Sequence, residues 1–194
     1  MTILVRAVMV AVALASGGAA RAAEAWGLDA LLAGFRAVTV ARAHFVERRS
    51  FGMLSEPLRS TGTLAYVAPD KLEKVTLSPR PERLAVDGDR VSVDQGPDGI
   101  RNSFAVSARP EIAAFIASMR GLLAGDRAAL ERYYALGLEG DASAWTLRLE
   151  PKDAALRLHL SEIRITGAAT SIHTVETRER DGDRAEMIVM EDPS

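Results

Sequence analysis

From Leu28 onward apolar residues recur at three- and four-residue spacing, at Leu28, Leu31, Leu32, Phe35 and Val38, with Asp29 in the first turn. That period predicts an amphipathic helix, with Trp26 stapling its start. The period then falls to two. Ala41, Ala43, Phe45 and Phe51 share one side and Arg42, His44, Arg48 and Ser50 the other, which predicts a strand. Glu47 interrupts the apolar side. It marks either a cavity mouth or a lid-pairing position, or else an edge position or a slip of phase.

Leu58 to Val67, Leu72 to Leu77, Arg83 to Val86 and Arg90 to Val93 read as consecutive antiparallel strands. Pro69-Asp70, Pro79, Pro81 and Asp87-Gly88 punctuate them, the last being a hairpin dipeptide that tolerates positive φ. The loop Gln95 to Gly99 leads to a short strand around Ile100 to Val106. A helix then starts at Pro110 and Glu111 and carries Ile112, Phe115, Ile116, Met119, Leu122 and Leu123 on one face, ending or kinking at Gly125-Asp126. A polar helical turn over Arg127 to Arg132 follows. Strands are predicted at Tyr133 to Leu138, Trp145 to Leu149, Ile163 to Ile165, Ile172 to Glu176 and Ala185 to Val189, with a brief helix at Ala154 to Leu160 and a hairpin at Asp181-Gly182-Asp183.

The fold class is therefore mainly β with helices, an α+β arrangement. A large antiparallel sheet of about nine to eleven strands would curl into a barrel or half-barrel, with an apolar helix plugging its open side. A ligand cavity is a natural product of that geometry.

The N-terminus follows a different pattern. Met1 to Arg6 carries one positive charge, Ala7 to Ser16 is apolar, and small residues lead to Ala20-Arg21-Ala22. This is the order of a secretory signal, and cleavage is expected after Ala22, leaving residues 23–194 as one domain. The apolar run is about ten residues where a membrane-spanning helix needs roughly 20, so a permanent anchor is not expected. The chain has no cysteine. It therefore lacks the residue that would carry a lipoprotein's acyl chains and has no disulfide, so stability rests on a hydrophobic core. Loss of Arg6 and Arg21 leaves 22 of the 24 basic residues against 26 acidic ones, a balance that favours neither nucleic acid nor an anionic membrane surface.

Chemistry is sparse. His44, His159 and His173 have no ligand-like spacing, so neither metal nor cofactor is expected. There is no G-x-S-x-G elbow, no H-E-x-x-H and no glycine-rich phosphate loop, and no catalytic residue is assigned. Arg48-Arg49 and Arg178-Glu179-Arg180 read as solvated loop charges or, alternatively, as a docking surface.

The order of the motifs carries a resemblance. Ala43-His44-Phe45-Val46-Glu47 is followed by Gly62-Thr63-Leu64-Ala65-Tyr66-Val67-Ala68-Pro69, Lys71-Leu72, Pro81 and Leu84-Ala85-Val86-Asp87-Gly88, then by Trp145-Thr146-Leu147-Arg148-Leu149-Glu150-Pro151-Lys152 and a final hairpin. From Leu28 to Val189 this resembles the outer-membrane lipoprotein carrier family LolA and its divergent LolA-related branch.

The resemblance implies an unclosed β-barrel lidded by helices, whose interior receives acyl chains and carries them across the periplasm. It also implies an inner-membrane transporter and an outer-membrane acceptor as partners. Better-studied carriers have an arginine before the proline that follows the Gly-initiated strand, where it helps hold the lid closed; here the residue is Ala68.

Exposed acyl chains cost roughly 0.8 kcal/mol per CH₂ in water, so a shuttle needs a dry groove more than it needs chemistry. Candidate lining positions are Leu64, Tyr66, Leu72, Val75, Leu77, Leu84, Val86, Val91 and Val93, for each of which ordinary core is the more economical reading, since most inward apolar residues are simply buried. Leu31, Phe35, Ile112, Phe115, Ile116, Met119 and Leu122 are the candidate lid positions, with plain core again the alternative. The function expected is a monomeric, non-enzymatic periplasmic carrier for an acylated cargo. Alternatives are a periplasmic sensor of mislocalised lipoproteins, or a carrier for glycolipid or polyene-lipid export. Such sensors carry a further C-terminal domain and this chain stops at Ser194, which favours the carrier.

Overall fold

A computed structural model describes residues 26–192 except 54, 97, 98, 109 and 155, and leaves aside the side chains at 110–112 and 114. The expected signal therefore lies outside the described residues, as does the Ile112 side chain.

Helix α1 (Leu28–Arg36) precedes six strands: β1 (Val40–Ser50), β2 (Leu58–Val67), β3 (Lys71–Ser78), β4 (Glu82–Asp87), β5 (Arg90–Asp94) and β6 (Arg101–Ala105). Helices α2 (Pro110–Leu123) and α3 (Arg127–Tyr133) come next. The chain ends on β7 (Tyr134–Asp141), β8 (Ala144–Pro151), β9 (Leu160–Ala168), β10 (Ser171–Glu179) and β11 (Arg184–Glu191). The strands form one antiparallel sheet in the order β6-β5-β4-β3-β2-β1-β11-β10-β9-β8-β7, so β6 and β7 are its two edges and it does not close.

The brief helix expected at Ala154 to Leu160 is only a 3-10 turn at Leu156–Leu158, because Leu160 already belongs to β9. Elsewhere the punctuation works as its chemistry dictates. Gly88 turns from β4 to β5 at φ 55°, and Asp126 caps α3 by accepting from the Ala129 N–H at 3.0 Å.

Antiparallel partners share a face, so the register fixes which side chains meet. Ala41, Tyr66, Leu72, Val86, Val91 and Phe104 form one inner row from β1 to β6. In the other half Val175, Ile165, Leu147 and Leu138 form another.

The helices lie on this face and divide the core in two. The larger cluster packs Leu31, Leu32 and Phe35 of α1, Leu122 of α2 and Leu130 of α3 onto Trp145, Leu147, Leu149, Ile163 and Ile165. Phe35 meets Trp145 edge-on at 6.0 Å between ring centroids, and the indole N–H donates to the Ala169 carbonyl at 3.0 Å. The smaller cluster sets Ile116 of α2 and Val106 onto Val86 and Val91. Helix α2 therefore spans both.

Candidate functional site

Between the two clusters the inner faces of β1, β2 and β11 form a floor. Phe45 opposes Gly62 on β2 and Val189 on β11, while Leu64 lies opposite Ala43 and Met187 opposite Glu47. Leu64, Met187 and Val189 are half-buried. Gly62 lets β2 and β3 approach beside the Phe45 ring, since a Cβ there would stand 1.9 Å from the Val75 carbonyl oxygen. Two depressions lie elsewhere: one of about 500 Å³ beside Arg90 and Phe104, and one of about 440 Å³ beside Arg48, Arg178 and Arg184. Neither is lined by Phe45, Leu64, Met187 or Val189.

The expected lining residues are largely brought together. Leu64, Tyr66, Leu72, Leu84, Val86, Val91 and Val93 lie on the inner face. Val86 and Val91 are fully packed under α2, and Leu72, Leu84 and Val93 flank them. Val75 and Leu77 do not join this group. Val75 pairs with Thr63 and Arg83 on the opposite face, and Leu77 sits at the bulge between β2 and β3, 60% exposed. The difference arises because Lys74 holds the inner position on β3, which turns Val75 to the outer face.

Among the lid positions, Leu31 and Phe35 are each 1% exposed within the larger cluster, Leu122 is fully buried there and Met119 packs against it. Ile116 is 4% exposed in the smaller cluster. Phe115 departs from the expected stripe and is 42% exposed, since the helix turns it away from the position Ile116 occupies.

Glu47 lies on neither an edge nor a slipped phase. Strand β1 is interior to the sheet, and Glu47 is on the inner face opposite Ser60. Its carboxylate accepts from Lys74 Nζ at 2.7 Å and Ser60 Oγ at 3.2 Å, with Arg49 Nη2 at 3.6 Å. Burial pushes this carboxyl up, but the Lys74 ammonium and its hydrogen bond, with Arg49 and Ser60, outweigh burial and hold it below its ordinary value. The Lys74 ammonium also stands 4.8 Å from the centre of the Phe45 ring.

Helix α2 is tied down by Arg120, its one cation, which the sequence reading passed over. The guanidinium donates to the Gly88 carbonyl at 2.9 Å and stands 3.4 Å from Asp70, fastening the helix to the β4–β5 hairpin and the β2–β3 turn. A lone cation in a mainly apolar helix is the available signal. Two residues before Arg120, Ser118 is fully buried and donates to the Phe115 carbonyl at 2.7 Å. Ser118 also bonds Tyr134, whose phenol burial pushes up to about 12. Arg36 of α1 donates to the Gly125 carbonyl at 2.7 Å, locking α1 to the α2–α3 joint.

The remaining charge runs separate by face. Arg49 faces inward beside Glu47, whereas Arg48 pairs with Glu186 on the outer face and Arg178 lies 3.6 Å from both Glu162 and Glu176. Glu179, Asp181 and Asp183 bring their carboxylates within 4.8 Å of one another at the β10–β11 hairpin, where Asp183 accepts from the Gly52 N–H and steadies the β1–β2 loop.

An unclosed antiparallel sheet with an apolar inner floor, overlaid by helices that leave part of that floor half-buried, defines a half-barrel with a helical cover. The model of the outer membrane lipoprotein carrier protein LolA-like family matches residues 19–191, and the chain belongs to that family. Among solved structures it is similar to a LolA superfamily protein from Nitrosomonas europaea, at 10% identity over 84% of this chain and 92% of that one, TM-score 0.43. It is also similar to the MucA/MucB complex structure from Pseudomonas aeruginosa, at 16% identity over 86% of this chain and 57% of that one, TM-score 0.43. A DUF1329 family protein from Desulfovibrio piger is similar at 9% identity over 84% of this chain and 88% of that one, TM-score 0.47. No curated protein matches the sequence.

Proposed function

We propose that the protein is a non-enzymatic periplasmic carrier that binds the acyl chains of lipoproteins or other envelope lipids on the inner floor and delivers them towards the outer membrane. The observation that carries this reading is the half-buried apolar floor of Leu64, Met187 and Val189 around the buried Phe45, left between two packed clusters that α2 bridges. Apolar surface of this kind gains by receiving a chain, at roughly 25 cal/mol per Å² withdrawn from water. Family membership agrees with it. By the same reading, an inner-membrane transporter supplies the cargo and an outer-membrane acceptor receives it.

Cargo enters by displacement of the first half of α2. That half rests on the small cluster through Ile116 and Ala113, whereas its second half is held by the large cluster and by Ser118 and Arg36. The weaker contact opens first. Arg120, one turn after Ile116 on the same helix face, is then the latch that holds the moving half from its C-terminal side, where Ala68 lacks the family's arginine.

Native mass spectrometry of the mature protein, purified from the periplasm without detergent, tests the reading when followed by lipid extraction. The expected result is a co-purifying acylated species and uptake of a fluorescent acyl probe. Protein that is consistently empty and takes up no probe overturns it.

A further inference from the structure

The Glu47–Lys74 pair has no part in holding an acyl chain, yet it occupies the face on which one would lie. Its neighbours on that face are Phe45, Leu64, Leu84 and Met187, and the two side chains retain only 12% and 28% of their exposure. Fold stability does not call for such a pair. Desolvating two charges costs about as much as their attraction returns, and well-packed apolar residues in their place are often neutral or stabilising.

The geometry leaves Lys74 with unused capacity. An ammonium has three N–H donors; one goes to Glu47, and the side chain, 28% exposed, keeps the others. Glu47 accepts from both Lys74 and Ser60, so the carboxylate fixes where the ammonium stands. The pair is also set away from the latched end of the half-barrel. Arg120 fastens α2 beside Gly88 and Asp70, next to the row of Ala41, Tyr66, Leu72 and Val86. Glu47 lies farther along β1, towards Arg49 and the 56%-exposed Leu58.

We infer that Lys74, positioned by Glu47, is a polar anchor for the head of a bound amphiphile, donating to its acceptor oxygens while the chain lies on the half-buried Leu64, Met187 and Val189. The ligand class is thus an acylated molecule with ester, carboxylate or phosphate oxygens next to its chain, rather than a plain hydrocarbon, and its head points away from the α2 latch. This rests on the carrier reading above.

The test compares two ligands of equal chain length, lauroyl lysophosphatidic acid and dodecane, each displacing the apolar dye N-phenylnaphthylamine from the mature protein. Lys74→Met keeps the stem and removes the donors. It is expected to weaken lysophosphatidic acid about tenfold, the loss of one hydrogen bond to a charged group, while dodecane and the dye change less than about twofold. Glu47→Gln should weaken lysophosphatidic acid in the same direction, by less. Equal losses for both ligands, or no loss for either, overturn the anchor and leave the carrier intact. Wild-type protein that binds none of the three probes overturns the carrier reading and the anchor with it. The double variant Glu47→Leu/Lys74→Met should fold with an undiminished thermal midpoint and show the same selective loss; a collapsed midpoint would make the pair structural and sink the proposal.

Discussion

Removing the Arg120 side chain is the perturbation that most directly separates a movable cover from a fixed one. In Arg120→Ala, α2 loses the hydrogen bond to the Gly88 carbonyl and the contact with Asp70. A hydrogen bond from a charged group contributes about 1.5–3 kcal/mol, and a part-exposed ion pair adds less than about 1 kcal/mol. Loss of about 2 kcal/mol from the closed state raises the open fraction about 30-fold. The rest of α2 stays put, because Leu122 remains fully buried and Arg36 still holds the Gly125 carbonyl. Hydrogen exchange should therefore quicken over the first half of α2 and the β4–β5 hairpin while β8 and β9 keep their protection. Acyl-probe association should quicken in step, and Asp70→Asn should move both in the same direction by much less. Unchanged exchange in α2 would refute the latch. So would uniform loss of protection across the sheet, which would make Arg120 a general prop of the fold.

Other consequences are simpler. Leu147→Ala empties a fully buried site in the larger cluster and should cost about 2–5 kcal/mol, read from urea unfolding; a loss under about 1 kcal/mol would mean the cluster collapses around the gap. Gly62→Ala drives a methyl group to 1.9 Å from the Val75 carbonyl oxygen and should break β2–β3 pairing, seen as a sharp fall in thermal midpoint; a wild-type midpoint would contradict the close approach. The lowered Glu47 pKa means this group stabilises the fold above its ordinary value of 4.5, and that stability is lost as pH falls through the lower folded value. Glu47→Gln should therefore flatten the acid limb of stability against pH, and superimposable limbs would argue against a charged Glu47 in the folded protein.

How far the fold could be read from the chain depended on whether the face pattern was purely apolar. In β8 the alternation Trp145, Leu147, Leu149 is unbroken, and the structure buries all three. The helices were legible for the same reason. The pattern misled where polar residues take inward positions. Lys74 on β3 meets Glu47 on the same inner face across β2, so counting apolar residues places Val75 and Leu77 inside when the strand turns them elsewhere. Phe115 was assigned to the cover's inner stripe by spacing alone, but Ile116 takes that position in the packed helix. Glu47 and Lys74 are 27 residues apart in sequence, and no local period links them. Only the pairing of β1 through β2 to β3 does so.

The pairing of β1 with β11 has a consequence for how this molecule comes into being. The first strand takes its partner on one side from the last strand of the chain, Arg184–Glu191, with Ala43 opposite Glu191. Until those residues arrive, β2 to β6 hang from one edge of β1, and β7 to β10 form a separate piece with no strand to join. A half-barrel with that seam cannot close ahead of β11, because contacts so distant in sequence wait for both strands. Topology thereby delays closure of the sheet until β11 is present. A chain ending at Gly182 is expected to be digested by protease throughout residues 26–182, and a truncation that resisted digestion in either half would show that the seam is dispensable.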